Sequence, residues 1–268
     1  MTVRLDNQDP LVPLSAPKPA IPKPFPVWSG WDVLAMVLFF CLATFIVALI
    51  AQGTWYLLSV SLDNFSTLNH SSYHGIVHIL VANLLNGLTL LFIYWTITFK
   101  YKAPFWTSIK WRNRSRTRTQ AYLFIGALLA ITMGALSSFI PESNELPIGK
   151  LLSHAETAIL LGIMAVFVAP FVEEVIFRGF IYPVIEHRWG QITAVSLTAL
   201  MFASLHITQL WGSWIAVGVI LFVGLVLSFV RAVTDSLLPS FLLHLSYNST
   251  LCLLSLLGFF LETRGGVT

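Results

Sequence analysis

The chain has 268 residues, of which 56% are hydrophobic and only 10% charged, with a formal net charge of +3. A soluble domain carries about a quarter charged residues, so the composition excludes an ordinary soluble fold and points to an integral membrane protein. The mild positive charge, with no nucleic-acid module in the sequence, excludes an RNA- or DNA-binding surface as the main function.

The chain begins with a Pro-rich arm, residues 1–30, containing "DPLVPLSAPKPAIPKPFPVW". It lacks the charged start, oily core and cleavage site of a signal peptide. Its prolines favour an extended, polyproline-like conformation. A membrane-proximal tail is the plain reading and an SH3-type ligand the narrower one.

Apolar runs follow at Val33–Gln52, Ile76–Phe99, Ala121–Ile140, Thr157–Ile185, Gln191–Ile207, Trp214–Val230 and Leu237–Leu261. A spanning helix needs about 20 such residues. The expected fold is all-α, a polytopic transmembrane bundle of about seven helices, with six or eight as alternatives. It divides into the arm, N-terminal membrane helices over residues 31–156, and a core over residues 157–262. Cys41 and Cys252 both lie in apolar runs and read as small buried residues, with no disulfide framework or metal signature. Asn83 and Asn86 read as interhelical bridges.

The segment 100–118 carries Lys100, Lys102, Lys110, Arg112, Arg114, Arg116 and Arg118 and no acid. Under the positive-inside rule this loop is cytoplasmic, with loose contact to anionic lipid as a secondary role. Counting from it places the N-terminus in the cytoplasm and returns the turns holding Arg188 and Arg231 to the same side.

The fourth run breaks the oily pattern. "APFVEEVIFRGFI", residues 169–181, places Glu173, Glu174 and Arg178 inside a helix. Each central charge costs roughly 2.5–3.5 kcal/mol on insertion scales, so such groups must pair and face the bundle interior. Glu174 and Arg178 are one turn apart on one face, whereas Glu173 points about 100° away. An interhelical Glu–Arg lock explains the first two and leaves Glu173 unexplained.

Depth supplies the next step. Glu173 lies fourteen residues before His187 and His206 sixteen after Gly190, about 21 and 24 Å from the turn between these helices. His244 and Asn248, four apart on one face of the last run, lie about 10 and 17 Å in from the same side. Six polar groups on three helices thus occupy one band of depth. A carboxylate and a histidine can take a proton from water, while a second histidine and an amide can donate to an oxyanion. That set suits amide hydrolysis. Ser204, Ser246 and Ser249 are nearby, but no Gly-x-Ser-x-Gly context marks a nucleophile. Glu173, His206 and His244 also match a common zinc donor set, although no His-Glu-x-x-His motif is present.

These residues resemble a known family. "EEVIFR" (residues 173–178) is similar to a Glu-Glu-x-x-x-Arg motif, "FASLH" (202–206) to Phe-x-x-x-His and "HLSYN" (244–248) to His-x-x-x-Asn. The family is that of the CPBP intramembrane proteases, also called Abi or CAAX prenyl protease type 2, and the resemblance spans roughly residues 157–254. It implies a glutamate-dependent endopeptidase. Glu173 would activate water with His206 positioning it. His244 and Asn248 would hold the oxyanion, and Glu174 with Arg178 would support the site. No cofactor is expected, although older descriptions of the family name a metalloprotease and leave a divalent metal such as zinc open. The stretch before the third motif departs in one respect: "SLLP" (236–239) has Leu238 where relatives often carry an aromatic residue, a change that bears on substrate entry.

The implied substrate is a membrane-associated protein or peptide, as in CAAX-type processing or a related maturation, and the implied surroundings are a lipid bilayer. A bacterial cytoplasmic membrane fits best, with an organelle membrane as the alternative. The sequence carries no signal for oligomeric state. Two other functions are compatible with the polar band: a non-catalytic adaptor or bacteriocin-immunity protein, and a proton-coupled transporter. The transporter reading also predicts repeated halves, and no internal repeat is visible.

Overall fold

The computed structural model describes residues 25–61, 70–112, 116–138 and 155–265. Most of the Pro-rich arm, Arg114 and the segments 62–69 and 139–154 lie outside the described residues, which are mainly helical and contain no strand.

Every apolar run is a helix. α1 is Gly30–Ser61, and α2 is His70–Trp95, extended by a wide π-turn over Thr96–Lys100. α3 is a single turn, Phe105–Ser108, inside the basic loop, and α4 is Arg116–Ser138. The segments Ala155–Ile163, Met164–Val168, Ala169–Glu174, Val175–Ile181 and Tyr182–Trp189 run end to end as α5. α6 is Gln191–His206, α7 Trp214–Thr234 and α8 Leu237–Gly265. Six of these helices are long and apolar enough to cross a membrane. The expected seventh, α6, has 16 residues and is about 24 Å long, short of a hydrocarbon core about 30 Å thick. The exposed Trp211 and Trp214 follow its end, where indole rings suit a membrane interface.

The surface is inverted relative to a soluble bundle. Leu38, Leu42, Phe45, Ile50 and Phe124 are exposed, as expected where lipid replaces water. α5 lies against α2, α6 and α8; α7 packs along α6, and α8 packs along α4. One buried apolar cluster joins Trp28, Ile93, Ile97, Phe180, Tyr182 and Phe202; a second joins Ala130, Val223, Leu227, Leu243 and Tyr247.

Local chemistry sets the helix starts. Ser29 precedes α1, and its backbone N–H donates to Asp32 Oδ2 at 2.9 Å, a capping-box arrangement. Asp32 also accepts from Tyr101 Oη at 2.7 Å and from Lys100 Nζ, which ties α1 to the end of α2. Gly190, at φ +83°, makes the sharp turn from α5 into α6, a conformation that disfavours side chains.

Two residues expected in turns lie inside helices. Arg188 is in the last turn of α5, and Arg231 is fully buried in the last turn of α7, which continues to Thr234. The turn that follows holds Asp235, whose carboxylate pairs with Lys110 and, at 3.4 Å, with Arg231. Burial pushes that carboxyl's pKa up, but the Lys110 hydrogen bond and the two positive charges prevail and hold it below its ordinary value. Ser236 Oγ donates to Arg112 O at 2.8 Å, and Leu237 N–H to Lys110 O at 3.0 Å. The "SLLP" stretch thus fastens the basic segment to the start of α8.

Candidate active site

Glu173 and Glu174 sit on the six-residue α-helical piece of α5 between two wide turns, Met164–Val168 and Val175–Ile181. Wide turns inside helices are rare and cluster at functional sites. The two neighbouring carboxylates have different surroundings. Glu174 is fully buried, whereas the Glu173 side chain keeps 25% of its exposure.

Glu174 is held on every side. Oε1 accepts from Arg178 Nη1 at 3.0 Å and lies 3.1 Å from His244 Nδ1, and Oε2 accepts from Ser240 Oγ at 2.5 Å. A buried carboxylate persists only when paired and hydrogen-bonded in this way. Arg178 is buried too. Its Nε donates to Ser228 Oγ at 3.2 Å and its Nη2 to Gly224 O at 3.0 Å, while its guanidinium carbon lies 4.6 Å from the Phe202 ring centroid. The expected Glu174–Arg178 pair therefore forms, and α7 grips the arginine from outside.

His244 lies between the two glutamates. Its Nε2 is 3.6 Å from Glu173 Oε2, an ion-pair separation rather than a hydrogen bond. Only the doubly protonated ring can donate toward both carboxylates. His206 is placed by its own helix: Nδ1 lies 2.9 Å from Phe202 O. A carbonyl only accepts, so Nδ1 carries the hydrogen and Nε2 of the neutral ring is an acceptor. Phe202 contacts both histidines, with ring centroids 4.8 Å from His206 and 5.8 Å from His244.

Asn248 Nδ2 donates to Ala165 O at 2.7 Å. The reason lies in the first wide turn. Ala169 N–H reaches back to Met164 O, so the next donor in that register is residue 170. Residue 170 is proline and has no N–H. Asn248 supplies the missing donor from α8. An amide nitrogen has two hydrogens, so one N–H of Asn248 is left for another acceptor.

The fold therefore brings Glu173, Glu174, Arg178 and His244 into one cluster. Phe202 links His206 to it, and Asn248 joins it from α8 through the backbone of α5. Ser240, Ser228 and Gly224 were not signalled by the sequence. Ser240 sits one turn before His244, and that spacing was its only visible mark. As for a metal, no group of three His, Cys, Asp or Glu side chains among the described residues is arranged to hold an ion. The set Glu173, His206 and His244 is not assembled as a coordination cluster.

A helical membrane-spanning bundle with charged and histidine side chains gathered on its interior helices defines an integral membrane protein with an intramembrane polar site. Residues 155–250 match the model of the family described as type II CAAX prenyl endopeptidase Rce1-like, a protease family of the CPBP or Abi group, as the three motifs implied. The matched segment runs from the start of α5 into α8 and contains all six candidate site residues. Comparison with curated proteins gave no match, and comparison with solved structures gave none.

Proposed function

We propose that the protein is an intramembrane endopeptidase that hydrolyses a peptide bond of a membrane-associated protein or peptide through water activated by Glu173. The observation that supports this most is the division between the two glutamates. Glu174 has its oxygens occupied by Arg178, His244 and Ser240. Glu173 is partly open and beside His244.

In this mechanism Glu173 takes a proton from a water that His206 Nε2 helps to orient. The resulting hydroxide attacks the scissile carbonyl. The oxyanion is met by His244 and by the second N–H of Asn248. When the C–N bond breaks, Glu173 returns its proton to the leaving amine. Glu174 and Arg178 keep His244 in place. Cleavage falls in the cytoplasmic half of a bilayer into which the N-terminus enters from the cytoplasm, a bacterial cytoplasmic membrane fitting best. No step needs a metal.

The test is Glu173→Gln in purified, membrane-inserted protein given an internally quenched farnesylated peptide with a CAAX-type C-terminus. Cleavage should fall by at least about a hundredfold, the order of a lost general base. Cleavage at the parental rate would remove Glu173 from this role and favour an adaptor that retains the polar cluster for partner binding.

A further inference from the structure

The glutamate-bearing helix α5 repeats one backbone defect. In the second wide turn, Tyr182 N–H reaches back to Phe177 O. In that register the next donor, the one for Arg178 O, is residue 183. Residue 183 is proline and has no N–H, so Arg178 O is left without a chain donor.

It is met from outside. Arg231 Nε, on α7, donates to Arg178 O at 3.2 Å. Trp28 Nε1, from the segment before α1, donates to Phe180 O at 2.8 Å, with its ring stacked 5.1 Å from Phe180. The first wide turn solves the same problem with Pro170, Ala165 O and Asn248. Arg231 is fully buried, and its Nη2 has no hydrogen-bond partner among the described residues. Its Nη1 pairs with Asp235 at 3.4 Å at the end of α7, and Nε is the nitrogen that reaches α5.

We propose that Arg231 is a positioning residue that sets the direction of Glu173 and Glu174 by capping Arg178 O, the carbonyl Pro183 leaves open, and that Trp28 holds the same turn through Phe180 O. This deepens the endopeptidase reading and, for its catalytic consequence, rests on it. An uncapped turn can relax toward α spacing, which rotates every residue before it relative to α7 and α8. Arg178, whose own carbonyl is the one capped, would carry Glu174 with it.

The experiment uses the full chain in proteoliposomes and compares the parent with Arg231→Met, Trp28→Phe, Pro183→Ala and the double variant R231M/P183A. Trp28→Phe keeps an aromatic ring and loses the N–H. Hydrogen–deuterium exchange over residues 175–185 is read without substrate, and kcat and KM are read on the quenched farnesylated CAAX-type peptide. Arg231→Met should speed exchange several-fold and lower kcat about tenfold with KM little changed, the size of one lost hydrogen bond. Trp28→Phe should do the same to a smaller degree. Pro183→Ala restores an N–H in the register of Arg178 O, so the double variant should regain most of both losses. A role of Arg231 through charge alone would not be rescued this way.

Parental exchange in Arg231→Met, or a double variant no better than the single one, overturns the proposal. If Arg231→Met is not recovered as folded protein, recovery of the double variant supports it and loss of both overturns it. Glu173→Gln runs alongside. If that variant cleaves, or the parent cleaves no such peptide, the endopeptidase reading is what suffers, and the exchange data still decide whether the carbonyls are capped.

Discussion

Glu173 and Glu174 are adjacent in sequence yet face opposite nitrogens of one imidazole, Glu174 Oε1 at 3.1 Å from His244 Nδ1 and Glu173 Oε2 at 3.6 Å from Nε2. The two carboxylates should therefore fail differently. Glu174→Gln leaves Arg178 as a buried charge without its counterion, a loss of about 3–5 kcal/mol for such pairs. The melting temperature should drop steeply and activity with it. Glu173→Gln should melt within a degree or two of the parent, since its side chain is partly open, while cleavage is lost. Thermal melts of both in one detergent check this, and equal destabilisation would contradict the division of roles.

Ser240 has one hydroxyl hydrogen and two acceptors in reach, Glu174 Oε2 at 2.5 Å and Leu227 O at 3.1 Å. The shorter contact to a charged oxygen is the stronger. Ser240→Ala removes it and should cost about 1.5–3 kcal/mol, the range for hydrogen bonds to charged groups. Ser240→Thr keeps the hydroxyl and should retain most of the stability if the added methyl fits. A stability of Ser240→Ala equal to the parent's would show that Arg178 and His244 suffice to hold Glu174.

Asn248 has a structural task that can be separated from a catalytic one. Asn248→Ala uncaps Ala165 O, a loss of about 1 kcal/mol or more. Adding Pro170→Ala supplies an N–H at the position the wide turn lacks, so the melting temperature should recover in the double variant. If Asn248 also holds the oxyanion, the loss in kcat will persist after stability returns. Recovery of both together would confine Asn248 to the backbone cap.

The acid side of the stability profile should depend on Asp235. Its carboxyl binds a proton less readily in the folded chain than in the unfolded one. The stabilisation is then complete above the unfolded-state pKa and disappears as the pH falls through the lower, folded value. The carboxylate is nearly half exposed, so its pairs with Lys110 and Arg231 contribute under about 1 kcal/mol. Asp235→Asn should melt slightly below the parent at neutral pH, and the gap should close in acid. A gap independent of pH would show that the effect does not come from the carboxylate's charge, since asparagine also tolerates the left-handed turn at this position, φ +47°.

The membrane helices were legible because hydrocarbon demands long uninterrupted apolar runs, and α6 was legible as a helix even though it falls short of a full span. Glu173, His206, His244 and Asn248 fall in one band of depth on sequence spacing alone, because rise per residue and antiparallel pairing are nearly invariant. Partners were harder to see. Ser240 and Ser228 look like any membrane serine until the packing of α7 and α8 against α5 shows what they touch. The wide turns leave no periodic signature, since they depend on which N–H meets which carbonyl. Their one trace is the pair of prolines, Pro170 and Pro183, inside a helix that continues past both. Arg231 was misjudged because a basic residue near the end of an apolar run reads first as a topology marker.

Gly126 shows how closely α4 approaches the site. A Cβ built there would lie 2.3 Å from Leu243 O and 2.9 Å from Ser246 Cβ. Real atoms do not approach a backbone oxygen so closely, and this oxygen belongs to the residue before His244. Small residues at such contacts let membrane helices pack backbone to backbone. Gly126→Ala must therefore push α4 outward or shift α8 at Leu243. Overpacking of this kind costs about 1–3 kcal/mol. Gly134, with nothing near its Cβ position, is the control on the same helix: Gly134→Ala should leave stability unchanged or raise it slightly through better helix propensity. If α8 is what moves, Gly126→Ala should also lower kcat, because His244 is displaced relative to Glu173. If α4 yields instead, stability falls while kcat holds. Melts and peptide cleavage on the two alanine variants separate these outcomes, and equal melting temperatures for both would mean that the α4–α8 contact is looser than its geometry indicates.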